Sequence, residues 1–159
     1  MTTTPVPLAP EQGLIIVNCS RKKLTARVPV PAWELYQGAC VPQLRDQFAD
    51  TPAYRARVRI LSAEHGLLHP DELIGPYDRR MQTAAEAVDL HTRSVSACLD
   101  AEFDTAPTPR HVLIIVEPLY LLALQRLHDH LDQLTQIVII PNPKAWAEGL
   151  AVLRQWGWA

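Results

Sequence analysis

The chain is poor in cysteine and has no excess of positive charge. Its 159 residues include three cysteines, Cys19, Cys40 and Cys98, an odd number without a C-x-x-C pair. This pattern excludes a disulfide framework and a zinc ribbon, and it indicates reduced thiols. The formal net charge of −2 excludes a global basic field that would hold nucleic acid non-specifically. Any contact with a polyanion must therefore be local.

The chain also lacks a long apolar run. Its longest apolar stretches are far too short to cross a bilayer, and residues 1–12 show no basic region followed by the apolar core of a signal peptide. We therefore expect a cytoplasmic protein with no membrane contact. Residues 1–12, rich in Pro and Thr, are expected to be a flexible segment, followed by a single domain over residues 13–159 with no internal repeat.

Four continuous apolar runs are typical of buried strands, because they show no alternation and end in polar residues. They cover residues 13–17, 58–61, 111–116 and 137–140. Segments with helical spacing of apolar residues follow them, at residues 32–36, 41–49, 80–102, 121–134 and 145–156. The alternation predicts an α/β domain of three layers, α/β/α, around a mostly parallel sheet of four or five strands.

Polar residues follow every predicted strand, and the second strand is followed by the densest group. Gly and Pro at four positions between residues 62 and 78 exclude a long regular element there. Open α/β sheets bind ligands at the carboxyl ends of their parallel strands, so we expect the polar loops to meet at one rim. These loops are residues 18–23, 62–78, 117–120 and 142–144.

Two residues of the second loop are the candidates for catalysis. His65 would stabilise an anionic leaving group, or else cap the loop through backbone hydrogen bonds. Asp78 would activate water or offset charge on an oxocarbenium-like sugar, or else cap the next helix. The spacing of His65, His69 and Asp71 is only a weak metal-binding pattern, so neither a metal nor another cofactor is expected.

The composition of the loop after the first strand, Asn18 to Lys23, favours the binding of an anionic oxygen. A Ser20 hydroxyl, backbone amides and the Lys23 ammonium would all bind one, whereas the alternative is an ordinary turn with solvated lysines. Cys19 would be a nucleophile if a neighbouring cation lowered its pKa, but a free cysteine beside a buried strand is usually a small core residue.

Aromatic residues admit similar alternatives. Tyr36 and Tyr120 would stack on a base or belong to the core. The carboxyl-terminal tryptophans would pack inside the domain or form the contact of a homo-oligomer. These are Trp146, Trp156 and Trp158.

A set of spaced motifs resembles an uncharacterised bacterial and phage domain family whose members are often labelled YaaA-like. The motifs are Cys19-Ser20-x-x-Lys23, Ala32-x-x-Leu35-Tyr36, Ile60-Leu61-Ser62-Ala63-x-His65-Gly66-Leu67, Pro70-Asp71 and Pro76-Tyr77-Asp78. The domain is also similar to the uracil-DNA-glycosylase-like module of archaeal tRNA-guanine transglycosylases, although the G-Q-D-P-Y and H-P-S motifs of true uracil glycosylases are absent.

The resemblance implies a glycosylase-like α/β/α fold with a pocket at the strand ends. It implies one wall made by Asn18, Cys19, Ser20 and Lys23, and a second made by Ser62, Glu64 and His65. It further implies that Tyr36, Tyr77 and Tyr120 close over a flat ligand. Glu117, at the end of the third strand, stands where the family usually has a small residue, and we include it among the ligand-binding candidates.

These observations favour an enzyme that cleaves the N-glycosidic bond of a modified base in nucleic acid or a nucleoside, with His65 and Asp78 as catalytic residues. Phosphate contacts would come from two short basic clusters, Arg21-Lys22 and Arg79-Arg80. A non-catalytic module that binds a nucleotide or nucleic acid, and a protein that recruits a partner through exposed tryptophans, are the alternatives.

Overall fold

The computed structural model describes residues 6–104 and 107–159. Its strands are β1 (Gly13–Asn18), β2 (Val30–Pro31), β3 (Val58–Ser62), β4 (Gly66–Leu68), β5 (Leu73–Ile74), β6 (His111–Ile115) and β7 (Gln136–Ile140). The central sheet has the order β4-β3-β1-β6-β7, and β2 pairs with β5 separately. β3, β1, β6 and β7 are parallel, and β4 runs antiparallel to β3. The predicted α/β class and the mostly parallel sheet are confirmed.

Helices connect the strands. They are α1 (Ala32–Leu35), α2 (Val41–Gln47), α3 (Pro52–Arg55), α4 (Ala84–Leu90), α5 (Ser96–Asp104), α6 (Pro118–Leu121) and α7 (Trp146–Trp156). A π-helical turn, His91–Val95, joins α4 to α5. Single 3-10 turns lie at Pro10–Gln12, Leu122–Leu124 and Leu127–His130.

The predicted helix over residues 121–134 is wrong, since short turns replace it after α6. The backbone leaves α-helical geometry at Arg126, with φ −99° and ψ 8°. Ala123, Leu124 and Leu127 are buried, whereas Leu134 is 82% exposed. Packing of the three buried residues therefore overrides the amphipathic pattern.

Helices cover both faces of the sheet. α7 packs against Ile115 of β6, while α5 lies beside Leu14 and Ile16 of β1. Ile115 is adjacent in the sheet to Val17, and successive strand residues point to opposite faces, so Ile115 and Ile16 point in opposite directions. All six residues of β1 are buried as a result, and the chain has three layers.

The β3–β4 hairpin was not predicted. Gly66 pairs with Ser62 directly after the turn, and its φ of +77° suits glycine. A side chain there would also collide with Ser94. The glycine thus lets the second polar loop turn back on the sheet, and it fixes where residues 63–65 lie.

The carboxyl-terminal tryptophans pack inside the domain. Trp156 and Trp158 are buried, and the Trp158 indole stacks on Tyr54 with ring centroids 4.5 Å apart. The Trp158 Nε1 donates to the carbonyl of Leu8 at 2.8 Å, so packing is the interpretation that these two residues fit. Homo-oligomer formation stays a prediction.

The segment before β1 is only partly covered, because residues 1–5 lie outside the described part of the chain. Within that part, Leu8 donates its amide to the Trp156 carbonyl at 2.8 Å. No helix among the described residues has the length and apolar character needed to cross a bilayer.

Candidate functional site

A cleft opens at the carboxyl ends of the parallel strands. It has two adjoining lobes of about 420 Å³ and 440 Å³. The lobes share Cys19, Ser20, Arg21, Arg80 and Tyr120. Asn18, Lys22, Gly38, Ala39, Glu117, Pro143 and Lys144 complete the first lobe, whereas Lys23, Asp78, Arg79 and Gln82 complete the second. The structure thus brings together residues from all four polar loops that the sequence predicted to meet.

Positive charge dominates the cleft although the chain as a whole carries a net charge of −2. Six basic side chains line the two lobes, but only two carboxylates do, Asp78 and Glu117. Glu117 lies 4.0 Å from the Arg80 guanidinium, and Arg79 pairs at 3.4 Å with Glu64 outside the lobes. The cleft therefore carries local positive charge, contributed in part by the two basic clusters that the sequence analysis singled out.

Asp78 is an exposed carboxylate in the second lobe. It has no hydrogen bond or ion pair within residues 6–104 and 107–159. The alternative role as a helix cap is wrong: α4 begins six residues later, and the Thr83 hydroxyl caps it by accepting the Glu86 amide at 3.2 Å. Asp78 is thus free to contact a ligand.

Asn18 joins the β1 loop to the β6 loop. Its Oδ1 accepts the Glu117 amide at 3.0 Å, and its Nδ2 donates to the Cys19 carbonyl at 3.1 Å. The side chain is 3% exposed. It therefore joins two walls of the cleft, and both its oxygen and its nitrogen are hydrogen-bonded within the protein.

Cys19 lies on the floor of both lobes. Its Sγ is 3.9 Å from the Tyr120 hydroxyl, which also accepts the Met81 amide at 3.5 Å. Burial raises the pKa of the Cys19 thiol, and the Ala63 amide and Tyr120 hydroxyl oppose this only in part. Burial likewise raises the pKa of Tyr120. A protonated, buried thiol fits the interpretation of Cys19 as a core residue better than its interpretation as a nucleophile.

The Ser20 hydroxyl is hydrogen-bonded both within its own loop and to the segment that follows α1. The hydroxyl donates to the Lys22 carbonyl at 2.6 Å and accepts the Gly38 amide at 3.1 Å. A Cβ at position 38 would stand 3.1 Å from the Ser20 Cβ, so glycine permits this close approach. Gly38 and Ala39 line the first lobe but were not predicted as site residues. Ala39 has a φ of +56°, which no local sequence pattern indicates.

A chain of hydroxyls lies beneath the second lobe. Ser62 Oγ accepts the amides of Glu64 and His65 at 3.2 and 3.1 Å, which uses both lone pairs. Its own proton is therefore donated to Tyr77 Oη at 2.7 Å, and Tyr77 in turn donates to Tyr36 Oη at 2.6 Å. Burial raises the pKa of both tyrosines, so these protons stay in place at neutral pH.

Tyr36 and Ser62 support the cleft from below. Each is fully buried, so the structure places neither on the surface that a ligand would touch. Tyr77 is half-buried, and the Lys23 ammonium lies 4.4 Å from its ring centroid. The hydroxyl chain thus holds the Tyr77 ring in position, and the Lys23 ammonium of the second lobe lies over that ring.

His65 is exposed and lies outside both lobes. Its ring meets the Tyr77 ring edge to face, with centroids 5.2 Å apart. The structure therefore does not bring His65 and Asp78 into one pocket. No three His, Cys, Asp or Glu side chains of the described chain form a metal site, so His65, His69 and Asp71 are not assembled as ligands.

The π-helical turn holds the loop that carries Glu64 and His65. Arg93 donates to the carbonyls of Ala63 and Glu64, both at 3.0 Å, and Ser94 donates to the His65 carbonyl at 3.0 Å. Three successive carbonyls are thus bound by two neighbouring side chains. This contact was not predictable from the sequence, because no residue pattern predicts the π-helical turn that brings both side chains to one side.

A family model matches most of the chain. The model of a family of unknown function, DUF6884, matches residues 14–148, which include both lobes of the cleft. No curated protein and no solved structure matches the chain significantly.

Proposed function

We propose that this chain, which belongs to DUF6884, a family of unknown function, is a nucleobase-processing enzyme that cleaves the N-glycosidic bond of a modified base. The substrate is a nucleoside phosphate, free or within nucleic acid. One observation carries the proposal: an unpaired carboxylate, Asp78, faces a cleft whose other charged groups are mostly cations.

The cations suit the phosphate of such a substrate. Arg21 and Arg80 belong to both lobes, and Lys22 and Lys144 extend the first. Arginine binds phosphate oxygens with two parallel hydrogen bonds, and lysine adds a point charge. Each lobe also has a volume within the usual range of small-ligand sites, about 300–1,000 Å³. A phosphate in the first lobe leaves the second for the sugar and base.

The reaction needs stabilisation of two developing charges. A water oxygen forms a bond to the sugar C1′ as the C1′–N bond breaks, and the bonding electrons pass to the base nitrogen. Asp78 offsets the positive charge on the sugar and accepts the proton of the water. Lys23 and Arg79, in the same lobe, stabilise the departing base anion, which then takes up a proton. The resemblance to a glycosylase-like module supports the same chemistry.

A second candidate function is a non-catalytic module that binds a nucleotide or nucleic acid. The position of His65 favours it: the residue expected to act with Asp78 lies outside both lobes. A single carboxylate in a basic cleft is compatible with binding alone. The two candidates share the ligand class and differ in whether a base is released.

A mass-spectrometric screen for released bases tests the proposal. The protein is incubated with DNA carrying modified bases, with bulk tRNA and with a nucleotide panel. We expect release by the wild type and by Asp50→Asn, which changes an exposed carboxylate outside the cleft, and loss of release by Asp78→Asn. Tight binding without release by any of the three would establish the binding module instead. Equal release by Asp78→Asn and the wild type would remove Asp78 from the mechanism.

A further inference from the structure

The outer strand β7 has the composition of a central strand. Its sequence, Gln-Ile-Val-Ile-Ile, contains four β-branched apolar residues and no charge. Val138 is 39% exposed and Ile139 is 46% exposed, and these neighbours point to opposite faces of the sheet. Continuous apolar runs are typical of strands covered on both faces and paired on both sides. β7 pairs only with β6 among the described strands.

The opposite edge of the sheet is protected. β4 is three residues long, and all three are buried. Short edge strands offer little backbone for pairing with another chain. β7 has five residues and none of the charges or prolines that block edge pairing within the strand itself. The two edges therefore differ in whether they accept a further strand.

We propose that β7 pairs antiparallel with β7 of a second copy of this chain, so that a two-fold axis passes through Val138. The occupant is a second copy because the strand is complementary to itself. In this register Ile137 lies opposite Ile139 of the other copy, and apolar residues meet on both faces. A two-fold axis perpendicular to the sheet also places the equivalent faces of the two copies on the same side of the joined sheet.

Backbone hydrogen bonding selects the same register. The Gln136 amide donates to the Arg110 carbonyl at 2.8 Å, toward β6. Backbone groups alternate along a strand, so the N–H and C=O of Ile137 and Ile139 point outward. Ile137 of each copy pairs with Ile139 of the other copy, and these two pairs together form four backbone hydrogen bonds. An axis at Ile139 would place Ile137 opposite Pro141, which has no N–H to donate.

β7 contains no charged residue, so this register places no like charges opposite each other along the strand. The resulting sheet has ten strands, with the two clefts at opposite ends.

Analytical ultracentrifugation over a concentration series tests the proposal. We expect a dimer for the wild type and monomers for Val138→Lys and for Val138→Asp, because each places two like charges across the axis. Leu122→Lys is the matched control: Leu122 is also 39% exposed but lies outside β7, and this variant should remain a dimer. Circular dichroism confirms that each variant is folded.

Mixing the two charged variants gives the sharpest outcome. Equal amounts of Val138→Lys and Val138→Asp should form a heterodimer, since Lys then faces Asp across the axis. This restoration cannot arise from damage to the fold, which mixing would not repair. A monomeric wild type, or a dimer that survives in Val138→Lys, would overturn the proposal. Base release plays no part in the measurement, so its outcome is independent of the proposed function.

Discussion

Two groups of charged residues illustrate opposite uses of charge in this molecule. Arg59 of β3 and Glu102 of α5 form a bidentate ion pair. Arg59 Nε lies 3.0 Å from Glu102 Oε2, and Arg59 Nη2 lies 2.7 Å from Glu102 Oε1. Arg59 Nη1 donates to the carbonyls of Ala56 and Val58, both at 2.7 Å. In the rim cleft, by contrast, the basic side chains are mostly exposed and Asp78 has no partner within the described chain.

The difference separates structural charge from charge available to a ligand. A buried pair whose groups are all bonded has no capacity left for another molecule, and removing one partner leaves the other uncompensated. An exposed cluster whose ion pairs, Arg79–Glu64 and Arg80–Glu117, lie at the surface contributes little to folding, so a ligand can take its interactions. A cavity of about 410 Å³ adjoins the Arg59–Glu102 pair, yet the rim cleft is the better candidate for a functional site for this reason.

The largest effect on stability should come from Glu102→Ala. This change leaves the Arg59 guanidinium, 7% exposed, without a counter-charge, and we expect a loss of about 3 to 5 kcal/mol in the free energy of unfolding. Urea denaturation measures it. Glu148→Ala, at an exposed position of α7, is the matched control and should stay within about 0.5 kcal/mol of the wild type. Equal losses for the two variants would contradict the structural role of the pair.

Tyr77→Phe should have the next largest effect. It removes the middle member of the hydroxyl chain. The Ser62 proton then has no acceptor and the Tyr36 hydroxyl loses its hydrogen bond, at a cost of about 1 to 3 kcal/mol in the free energy of unfolding. Tyr54→Phe is the control, since the Tyr54 ring stacks on Trp158 and its hydroxyl has no hydrogen bond to a described side chain. If Tyr77→Phe were as stable as Tyr54→Phe, the hydroxyl chain would not support the cleft.

A smaller, pH-dependent effect should come from His69. Burial and the neighbouring Arg59 lower the pKa of His69 below its ordinary value of 6.5. The unfolded chain therefore binds a proton more readily than the folded one, and stability should fall as the pH drops below about 6.5. We expect His69→Gln to reduce this dependence in denaturation curves measured across that range. His128→Gln, which changes an exposed imidazole, should retain the wild-type slope.

The smallest change in stability should come from the cleft itself. Arg21→Gln combined with Arg80→Gln should alter the free energy of unfolding by no more than about 0.5 kcal/mol. The same pair of changes should weaken the binding of a nucleoside monophosphate at least about tenfold, because two phosphate donors are lost. Isothermal titration calorimetry measures the affinity. Arg27→Gln with Arg154→Gln, two exposed positions outside the cleft, should bind like the wild type.

Much of the fold was predictable from the sequence because its signals are local. Continuous apolar runs gave the four parallel strands, and the polar residues that end them gave the rim. The β3–β4 hairpin and the broken helix after α6 were not predictable, because β4 has only three residues and packing of Leu124 and Leu127 decides the local geometry.

The candidate site was predictable only in part. Residue type and loop position placed Cys19, Arg21, Asp78 and Arg80 at one rim, and the structure brings them together. The sequence does not show which polar residues bond to one another, so it did not reveal that Tyr36 and Ser62 lie below the cleft. It also did not reveal that His65 lies outside it. Those positions depend on contacts between residues far apart in the chain, such as Tyr36 with Tyr77.

The most direct test of the central claim, that the rim cleft binds the phosphate of a nucleotide, is chemical-shift mapping on 15N-labelled protein. The protein is titrated with a nucleoside monophosphate and, separately, with the nucleoside alone. We predict that the phosphate-dependent shifts concentrate on the amides of residues 19–23, 79–82 and 144. Shifts that concentrate around Arg59 and Glu102, or no phosphate-dependent shifts, would contradict the assignment of the cleft.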